Sequence, residues 1–573
     1  MARATEAKLK NKMRPELELL LCCARAGSPG CDQRIKELFD AGLNWSEILA
    51  CAIEHKLVPA LSEDLCAPGA GWLSPDQRET LAELTRITGR NNMSYLSEML
   101  RLQSQFEAAG IPVIPFKGPA LAWLAYPNFA HRTCVDLDFV VPQRYIPDVT
   151  SLLLAQGYKP QFNPIEAQAG RRGPAPGQYA FAPSGGRTFV EIHTERTLRY
   201  FSRPLHLDEL NSRAIPLEIG GKDIRSFCVE DLLVMLCVHG AKHLWERLSW
   251  IVDIAQLVTV RKVNWELLSE IAAQVESTRL LLLGLYLAHE MMGASLPPSV
   301  LERARGDAQV QWLAGKVLEQ YEERSDSVVG VWPRAMFRLR SSDKFLRGLR
   351  QLLRISMSPT ESDRESIQLP RFLSPLYSLL RPVRLLGEYG MGLHRKKKPD
   401  LAIYQPTPID VVEQMLRLAG ISAGDVLYDL GCGDGRIVVA AAEKYGIRAV
   451  GVDINPTRIA EARVNARRHG VEKRVQFVLG DAKKLDFAEA MVITMYLGAD
   501  GNLRLADQLR SQLRSGARIV SRDFQIYGWA PDRAESHTMP DGVVTWLYLW
   551  TISDQSREIH GTISDAAGAA TAR

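Results

Sequence analysis

At 573 residues the chain is too long for a single hydrophobic core and is expected to divide into at least two domains. Its apolar content of 46% and charged content of 24% are ordinary for a globular protein, and a net charge of +4 is small for this length, so composition alone does not argue for nucleic-acid binding. Nine scattered cysteines without a C-x-x-C pair argue against a disulfide framework or zinc site, and no apolar run approaches the roughly 18–20 residues of a membrane span.

Glu16 and Glu18 interrupt what would be the apolar part of an N-terminal signal, so the expected location is cytoplasmic. Residues 1–13 are polar and basic and read as a flexible N-terminus. From 14 to 110 the apolar spacing is helical: Leu17, Leu20 and Leu21, then Ile35, Leu38 and Phe39, then Ile48, Ala52 and Ile53. A further helix over Met93–Phe106 should end at Ala108-Ala-Gly110. None of this carries chemistry, and it reads as helical support.

The character changes at Ile111. A strand-like run to Phe116 enters Lys117-Gly118-Pro119 and then a short helix, Ala120–Tyr126. Next comes Arg132-Thr-Cys-Val-Asp136-Leu-Asp138-Phe-Val-Val141, where strand geometry would put Asp136 and Asp138 on one face. Two carboxylates side by side among apolar residues repel unless a cation lies between them, as Mg²⁺ does in phosphoryl transfer. Glu191, in the strand-like run Thr188–His193, could supply a third acid.

From Glu230 to Val260 the pattern is helical, with His239 and His243 four apart on one face and Trp250 and Asp253 able to continue it. Gly240 stands where a zinc H-E-x-x-H helix has glutamate, so hydrogen-bonded core histidines are the plainer reading, with a place beside a nucleotide as the functional one. Residues 300–395 become basic: Arg334, Arg338, Arg340, Lys344, Arg347, Arg350 and Arg354 interleave with Phe337, Phe345 and Leu346. This suits a groove for nucleic acid or an acidic partner, although most such runs are solvated amphipathic helices.

Together Phe116-Lys-Gly-Pro, Arg132, Asp136-x-Asp138, Glu191-x-His193 and His239-Gly-x-x-His243 resemble the uncharacterised bacterial nucleotidyltransferase family of the polymerase-β-like superfamily, over roughly residues 15–385. The resemblance implies Mg²⁺ on Asp136, Asp138 and Glu191, and a nucleoside triphosphate with its phosphates near Lys117 and Gly118. Superfamily members usually carry Gly-Ser at the phosphate turn; here it is Lys117-Gly118. The first domain is expected over 14–390, with an α/β core at about 111–220 and helical parts at 14–110 and 225–385. A linker over 391–403, with Arg395-Lys-Lys-Lys398, follows.

The second domain is expected over 404–553, before a disordered tail at 554–573. Tyr404-Gln-Pro-Thr-Pro408 leads into a helix, then a strand, Val426–Leu430, and glycines at every second position, Gly431, Gly433 and Gly435. This reads as a buried strand, a tight turn and a helix whose N–H groups face a ligand. A dinucleotide fingerprint would place its third glycine at Arg436. Later strands end at Asp453 and Asp481, suited to ribose hydroxyls and an adenine amine, and Ile454 could pack on the adenine. Strands over Ala490–Tyr496 and Ala517–Ser521 complete an alternation that gives a doubly wound parallel sheet.

The run Asp429-Leu-Gly-Cys-Gly-Asp-Gly435 resembles the first motif of class I S-adenosylmethionine (SAM) methyltransferases. With Tyr404-x-Pro-Thr-Pro, Thr494-Met-Tyr-Leu and Arg518-Ile-Val-Ser-x-x-Phe524 it is similar to the seven-strand lysine methyltransferases that modify a component of ATP synthase. That similarity implies SAM binding by Tyr404, Asp429, Gly431, Gly433, Gly435, Asp453, Ile454 and Asp481, and an acceptor pocket near Thr494, Tyr496, Ser521 and Trp529. The acceptor can be read as protein or small molecule. The fold expected is therefore α/β: a mainly helical domain around a small mixed sheet, then a seven-strand Rossmann-like domain. The function expected is bifunctional, methyltransferase behind and Mg-dependent nucleotidyltransferase in front; the alternative keeps the first domain as a non-catalytic scaffold.

Overall fold

The computed structural model describes residues 13–25, 30–67, 71–161, 177–182, 188–194, 207–322, 331–357, 377, 380, 406–539 and 544–553. Tyr404, the linker at 391–403, the tail at 554–573 and residues 1–12 lie outside them. The chain divides into two compact units, one of Met1–Asn44 and Glu54–Lys397, the other of Trp45–Ile53 and Lys398–Arg573.

The first unit holds a five-stranded mixed sheet in the order β1-β2-β5-β4-β3. β1 (Ile114–Pro115) runs antiparallel to β2 (Leu137–Val140), and β2 runs parallel to β5 (Val190–His193). β4 (Gln178–Ala182) and β3 (Lys159–Pro160) continue antiparallel. Helix α1 (Pro75–Ala108) is 34 residues long, well beyond the stretch its apolar spacing marks. Its start is fixed by a capping box, in which the Ser74 side chain accepts from the Gln77 N–H and the Gln77 side chain accepts from the Ser74 N–H. Near its other end Phe106 meets Phe139 of β2 edge-on, with ring centroids 5.7 Å apart, so helix and sheet share one apolar layer. Helix α2 (Gly118–Ala125) follows β1.

A hairpin, β6 (Ile215–Ile219) and β7 (Lys222–Ser226), precedes helices α3 (Val229–Lys242) and α4 (Leu248–Val260). The reversal between the helices puts Leu244 and Trp245 at φ of 56° and 58° and buries the Trp245 indole completely. Gly240 makes this possible, because a Cβ there would lie 2.4 Å from the indole. The run His-Gly-x-x-His is therefore a helix ending as well as a pair of imidazoles. Farther along the same unit, the basic stretch folds as α5 (Val331–Ser341) and α6 (Phe345–Met357).

The second unit is a seven-stranded sheet in the order β10-β9-β8-β11-β12-β14-β13. β8 (Val426–Leu430), β9 (Arg448–Asp453), β10 (Val475–Leu479), β11 (Val492–Met495) and β12 (Arg518–Arg522) are parallel. β13 (Arg533–Thr538) and β14 (Val544–Thr551) close it antiparallel. One face packs under α7 (Ile409–Leu418), α8 (Arg436–Tyr445) and α9 (Pro456–Arg468), burying Val411, Ile437, Ile459 and Val520. The other packs under α10 (Gly498–Gln512), burying Leu505, Leu509, Ile493 and Ile519. This is the doubly wound arrangement, with the strand order reversing between β8 and β11, where ligands bind at strand C-termini.

Candidate functional sites

In the first unit the parallel register sets Asp138 directly opposite Glu191. Residues two apart share a face, so His193 joins them, and one ligand atom from each of Asp138, Glu191 and His193 lies within 4.8 Å of the others. His193 Nε2 is 2.8 Å from Asp138 Oδ1 and 3.5 Å from Glu191 Oε2, and Gln178 Nε2 donates to Glu191 Oε2 at 2.6 Å. Lys117 Nζ donates to Asp138 Oδ1 at 3.3 Å. Asp136 stands one residue before β2 and is not in that grouping, although it feels the charges of Asp138 and Glu191.

The two aspartates diverge electrically. Burial, then the Asp138 charge, pushes Asp136 up to about 6. Burial would raise Asp138 too, but Lys117 and the His193 hydrogen bond outweigh it and hold that carboxyl well below the usual range. Burial lowers His193, but its bonds to Asp138 and Glu191 prevail and raise it.

Gly118 has φ of 49°, and a Cβ there would lie 2.7 Å from the Asp136 carbonyl oxygen. The Lys117-Gly118 turn thus presses on the backbone that carries Asp136. Behind it, Arg132 makes a bidentate pair with buried Asp253 (2.8 and 3.1 Å), Tyr126 donates to the same carboxylate at 2.6 Å, and Arg132 Nη1 donates to the Gly118 carbonyl at 3.1 Å. Asp253 therefore anchors the turn through Arg132 and does not continue the histidine face. His239 and His243 lie 4.8 Å apart by ring centroid, and each is 5.3 Å from Trp250. Both imidazoles pack against Trp250, and neither makes a side-chain hydrogen bond among the described residues. Burial, then cationic neighbours led by Lys117 for His239 and Lys242 for His243, lowers both, His243 to about 4.

In the second unit Gly431, Gly433 and Gly435 have φ of 82°, 53° and 76°. A Cβ on Gly431 would lie 2.5 Å from Leu497 Cδ2, so the turn needs glycine for space as well as conformation. Asp453 Oδ2 accepts from the Gly433 N–H and Oδ1 from the Asn455 N–H, both at 2.8 Å, which ties the end of β9 to the turn. Asp481 accepts from the Lys483 N–H at 3.1 Å, and Ile454 follows β9 directly. Arg436 pairs with Asp434 at 2.6 Å and donates to the Thr407 carbonyl at 2.9 Å, holding the entry to α7.

Asp429 is buried at the end of β8 and accepts from Thr494 Oγ1 at 2.8 Å, with no ion pair among the described residues. Burial, then the charges of Asp453 and Asp434, pushes it up to about 7 against the opposing Thr494 bond. Such a carboxylate beside a glycine turn fits the cationic amino-acid end of SAM.

The residues expected around the acceptor do not share one face. Thr494 lies opposite Val520 and Met495 opposite Ser521, so Thr494 and Ser521 point into different layers. Thr494 serves Asp429, and Ser521 Oγ donates to the Phe524 carbonyl at 2.7 Å. Trp529 packs near Trp550 under the guanidinium of Arg510. Tyr496 remains half-buried at the strand end, stacked on Phe524 with centroids 5.7 Å apart. The guanidinium of buried Arg522 lies 4.5 Å from its ring centroid. The motif quoted from Arg518 to Phe524 contains Arg522, but its placement depends on pairing with β14.

Residues 41–293 match the family described as uncharacterised nucleotidyltransferase, and residues 429–533 match the ANTKMT methyltransferase domain. A protein-lysine N-methyltransferase of Saccharolobus islandicus is 42% identical over 153 residues, 26% of this chain and 94% of that protein. An adenine nucleotide translocase lysine N-methyltransferase of Mus musculus is 36% identical over 121 residues, 21% of this chain and 52% of its own length. A crystal structure of an RNA methyltransferase from Salinibacter ruber with S-adenosyl-L-homocysteine is 45% identical, over 26% of this chain and 95% of that one, with a TM-score of 0.25. Through its methyltransferase domain the chain belongs to the SAM-dependent methyltransferase family that includes the Saccharolobus protein-lysine N-methyltransferase.

Proposed function

We propose that the second unit methylates a lysine amine on a protein, and that the first unit transfers a nucleotidyl group with a divalent cation. For the methyltransferase the carrying observation is the buried Asp429–Thr494 pair beside the glycine turn. SAM supplies an electrophilic methyl on a sulfonium, so the protein's task is placement. Asp429 would hold the amino-acid end, Asp453 the ribose and Asp481 the adenine. A lysine acceptor must also lose its proton, and Arg522, stacked on Tyr496, would disfavour an ammonium beside that ring and so favour the nucleophilic amine. That the Saccharolobus and Mus relatives are lysine N-methyltransferases supports lysine as acceptor.

For the first unit the carrying observation is the in-register pairing of Asp138 with Glu191. Their carboxylates, with His193 at hand, fit a divalent cation, and Asp136 would join from the strand entry. Such a cation supplies charge neutralisation for a triphosphate, while Lys117 lies where a phosphate could replace Asp138 as its partner. The scaffold reading has its own support in that Lys117 and His193 already satisfy Asp138.

Cell lysate treated with the full chain and isotopically labelled SAM should yield proteins carrying label on lysine, found by mass spectrometry. Label confined to RNA or small molecules would refute the lysine reading. Mg²⁺-dependent nucleotide binding that survives Asp136→Ala with Asp138→Ala would refute the metal site, and complete absence of such binding would favour the scaffold.

A further inference from the structure

The basic helices α5 and α6 lie behind the nucleotidyltransferase-like core in sequence. On an ordinary surface helix the apolar stripe packs inward and the charges face water. α6 is turned the other way. Phe345, Leu346, Leu349, Leu353 and Met357 are 64%, 77%, 40%, 55% and 42% exposed. At about 100° per residue these five fall within one stripe, with Arg350 on its flank.

Contacts on the opposite side fix this rotation. Lys344 Nζ lies 3.5 Å from Glu276 Oε1, and Arg347 Nη1 pairs with Glu276 Oε2, on a nearly buried carboxylate. Gly348 sits so close to the preceding turn that a Cβ would lie 2.9 Å from Ser342 Cβ and 3.2 Å from the Leu339 carbonyl oxygen. Among the described side chains the packed side thus carries glycine and ion pairs, Leu352 is half-buried, and the open side is leucine, phenylalanine and methionine.

The charge of the surroundings selects what covers that side. Between residues 331 and 357 there are seven basic residues and one acid, Asp343; Lys344 and Arg347 pair with Glu276 on the packed side, and Arg350 stands exposed beside the stripe. Asp343 is turned inward, where it accepts from the Thr278 and Arg279 N–H groups at 2.9 and 2.8 Å. A protein partner would have to bring its own acidic rim, and a nucleic acid has no use for the aliphatic stripe. A bilayer with anionic headgroups satisfies both features at once.

We propose that α6 is an interfacial helix that docks this protein on an anionic lipid surface, with the stripe from Phe345 to Met357 immersed at the headgroup boundary. The attachment is peripheral, since no helix among the described residues is long and apolar enough to cross a membrane. It involves none of the residues assigned to either reaction.

The test is flotation of the full chain with vesicles of phosphatidylcholine alone and of phosphatidylcholine with phosphatidylglycerol. The chain should float with the anionic vesicles, less so in high salt, and much less with the neutral ones. Leu349→Glu with Leu353→Glu should lower that partition by about tenfold or more, and Arg350→Glu should lower it less. Both variants replace exposed side chains, so circular dichroism and SAM binding should stay unchanged. No partition into anionic vesicles, or partition equal in the double variant, would overturn the proposal. So would a concentration-dependent dimer that the double variant abolishes, or RNA retention without vesicle binding.

Discussion

Lys117 Nζ donates to Asp138 Oδ1 across 3.3 Å, within the group of carboxylates where the sequence calls for a metal ion. An ammonium in that position competes with any cation for the same oxygen. Replacing Lys117 with Met should therefore tighten binding of bare Mn²⁺, by about tenfold or more given the strength of a partly buried charge contact. The same change should weaken nucleotide binding, because it removes the partner proposed for a phosphate. Titration of Mn²⁺ by electron paramagnetic resonance, with and without nucleotide, separates the two effects. Weaker Mn²⁺ binding in the variant would mean that Lys117 supports the metal and does not compete with it.

Asp138→Asn should abolish cation binding, whereas Asp136→Asn should weaken it without abolishing it. The ground is positional: Asp138 faces Glu191 in register, and Asp136 stands outside the close grouping. Equal loss in both variants, by the same titration, would show that Asp136 moves in as a full ligand.

Asp429 provides a pH prediction. Its carboxyl is raised from the ordinary 3.8 to about 7, so the folded state holds a proton that the unfolded chain has released. An acid raised on folding favours the native state at low pH; that stability falls as pH climbs through the interval from 3.8 to about 7. A cationic ligand reverses the preference by favouring the carboxylate. SAM affinity should therefore rise between about pH 5.5 and 7.5, with proton release visible by calorimetry in buffers of different ionisation enthalpy. Asp429→Asn should bind more weakly and lose most of that slope. A slope unchanged in the variant would place the titrating group elsewhere.

Asp453→Ala should lower SAM affinity by about tenfold or more, since it removes both the proposed ribose partner and the hydrogen bond that pins Gly433. Calorimetry showing wild-type affinity would move the ribose site away from β9.

The methyltransferase core is legible in the sequence because its signals are local. The apolar runs and glycine turn mark β8 and α8 to within about a residue, and Asp453 ends β9 as expected. β13 is not legible: its residues alternate between exposed and half-exposed, so no apolar period announces an edge strand. The first half of α1 is hidden for a related reason, its polar face, although Ser74-Pro-Asp-Gln77 carries the start signal. In the first unit the acids can be read and their order of importance cannot. Which aspartate meets Glu191 depends on a parallel register between segments about fifty residues apart, and nothing in the run Asp136-Leu-Asp138 encodes it. The basic stretch draws attention by its charges, although the informative feature is the direction in which its leucines point.

Arg522 yields the last prediction, concerning the acceptor side. Its Nε lies 3.2 Å from Thr545 Oγ1 and 3.1 Å from Asp523 Oδ2, and its guanidinium covers the Tyr496 ring. One face of Tyr496 is taken by this cation and the ring also stacks on Phe524, so the tyrosine is held as a rigid edge. If the guanidinium lowers the pKa of an incoming lysine, Arg522→Met should leave SAM affinity within about twofold while slowing methylation most at low pH, where the ammonium persists longest. Arg522→Lys should rescue the pH profile in part, since it restores charge without the planar stack. The measurement is the rate of label transfer from SAM to lysate protein between about pH 7 and 9.5. A uniform loss at every pH would assign Arg522 to holding Tyr496 in place, and unchanged rates would remove it from the acceptor site.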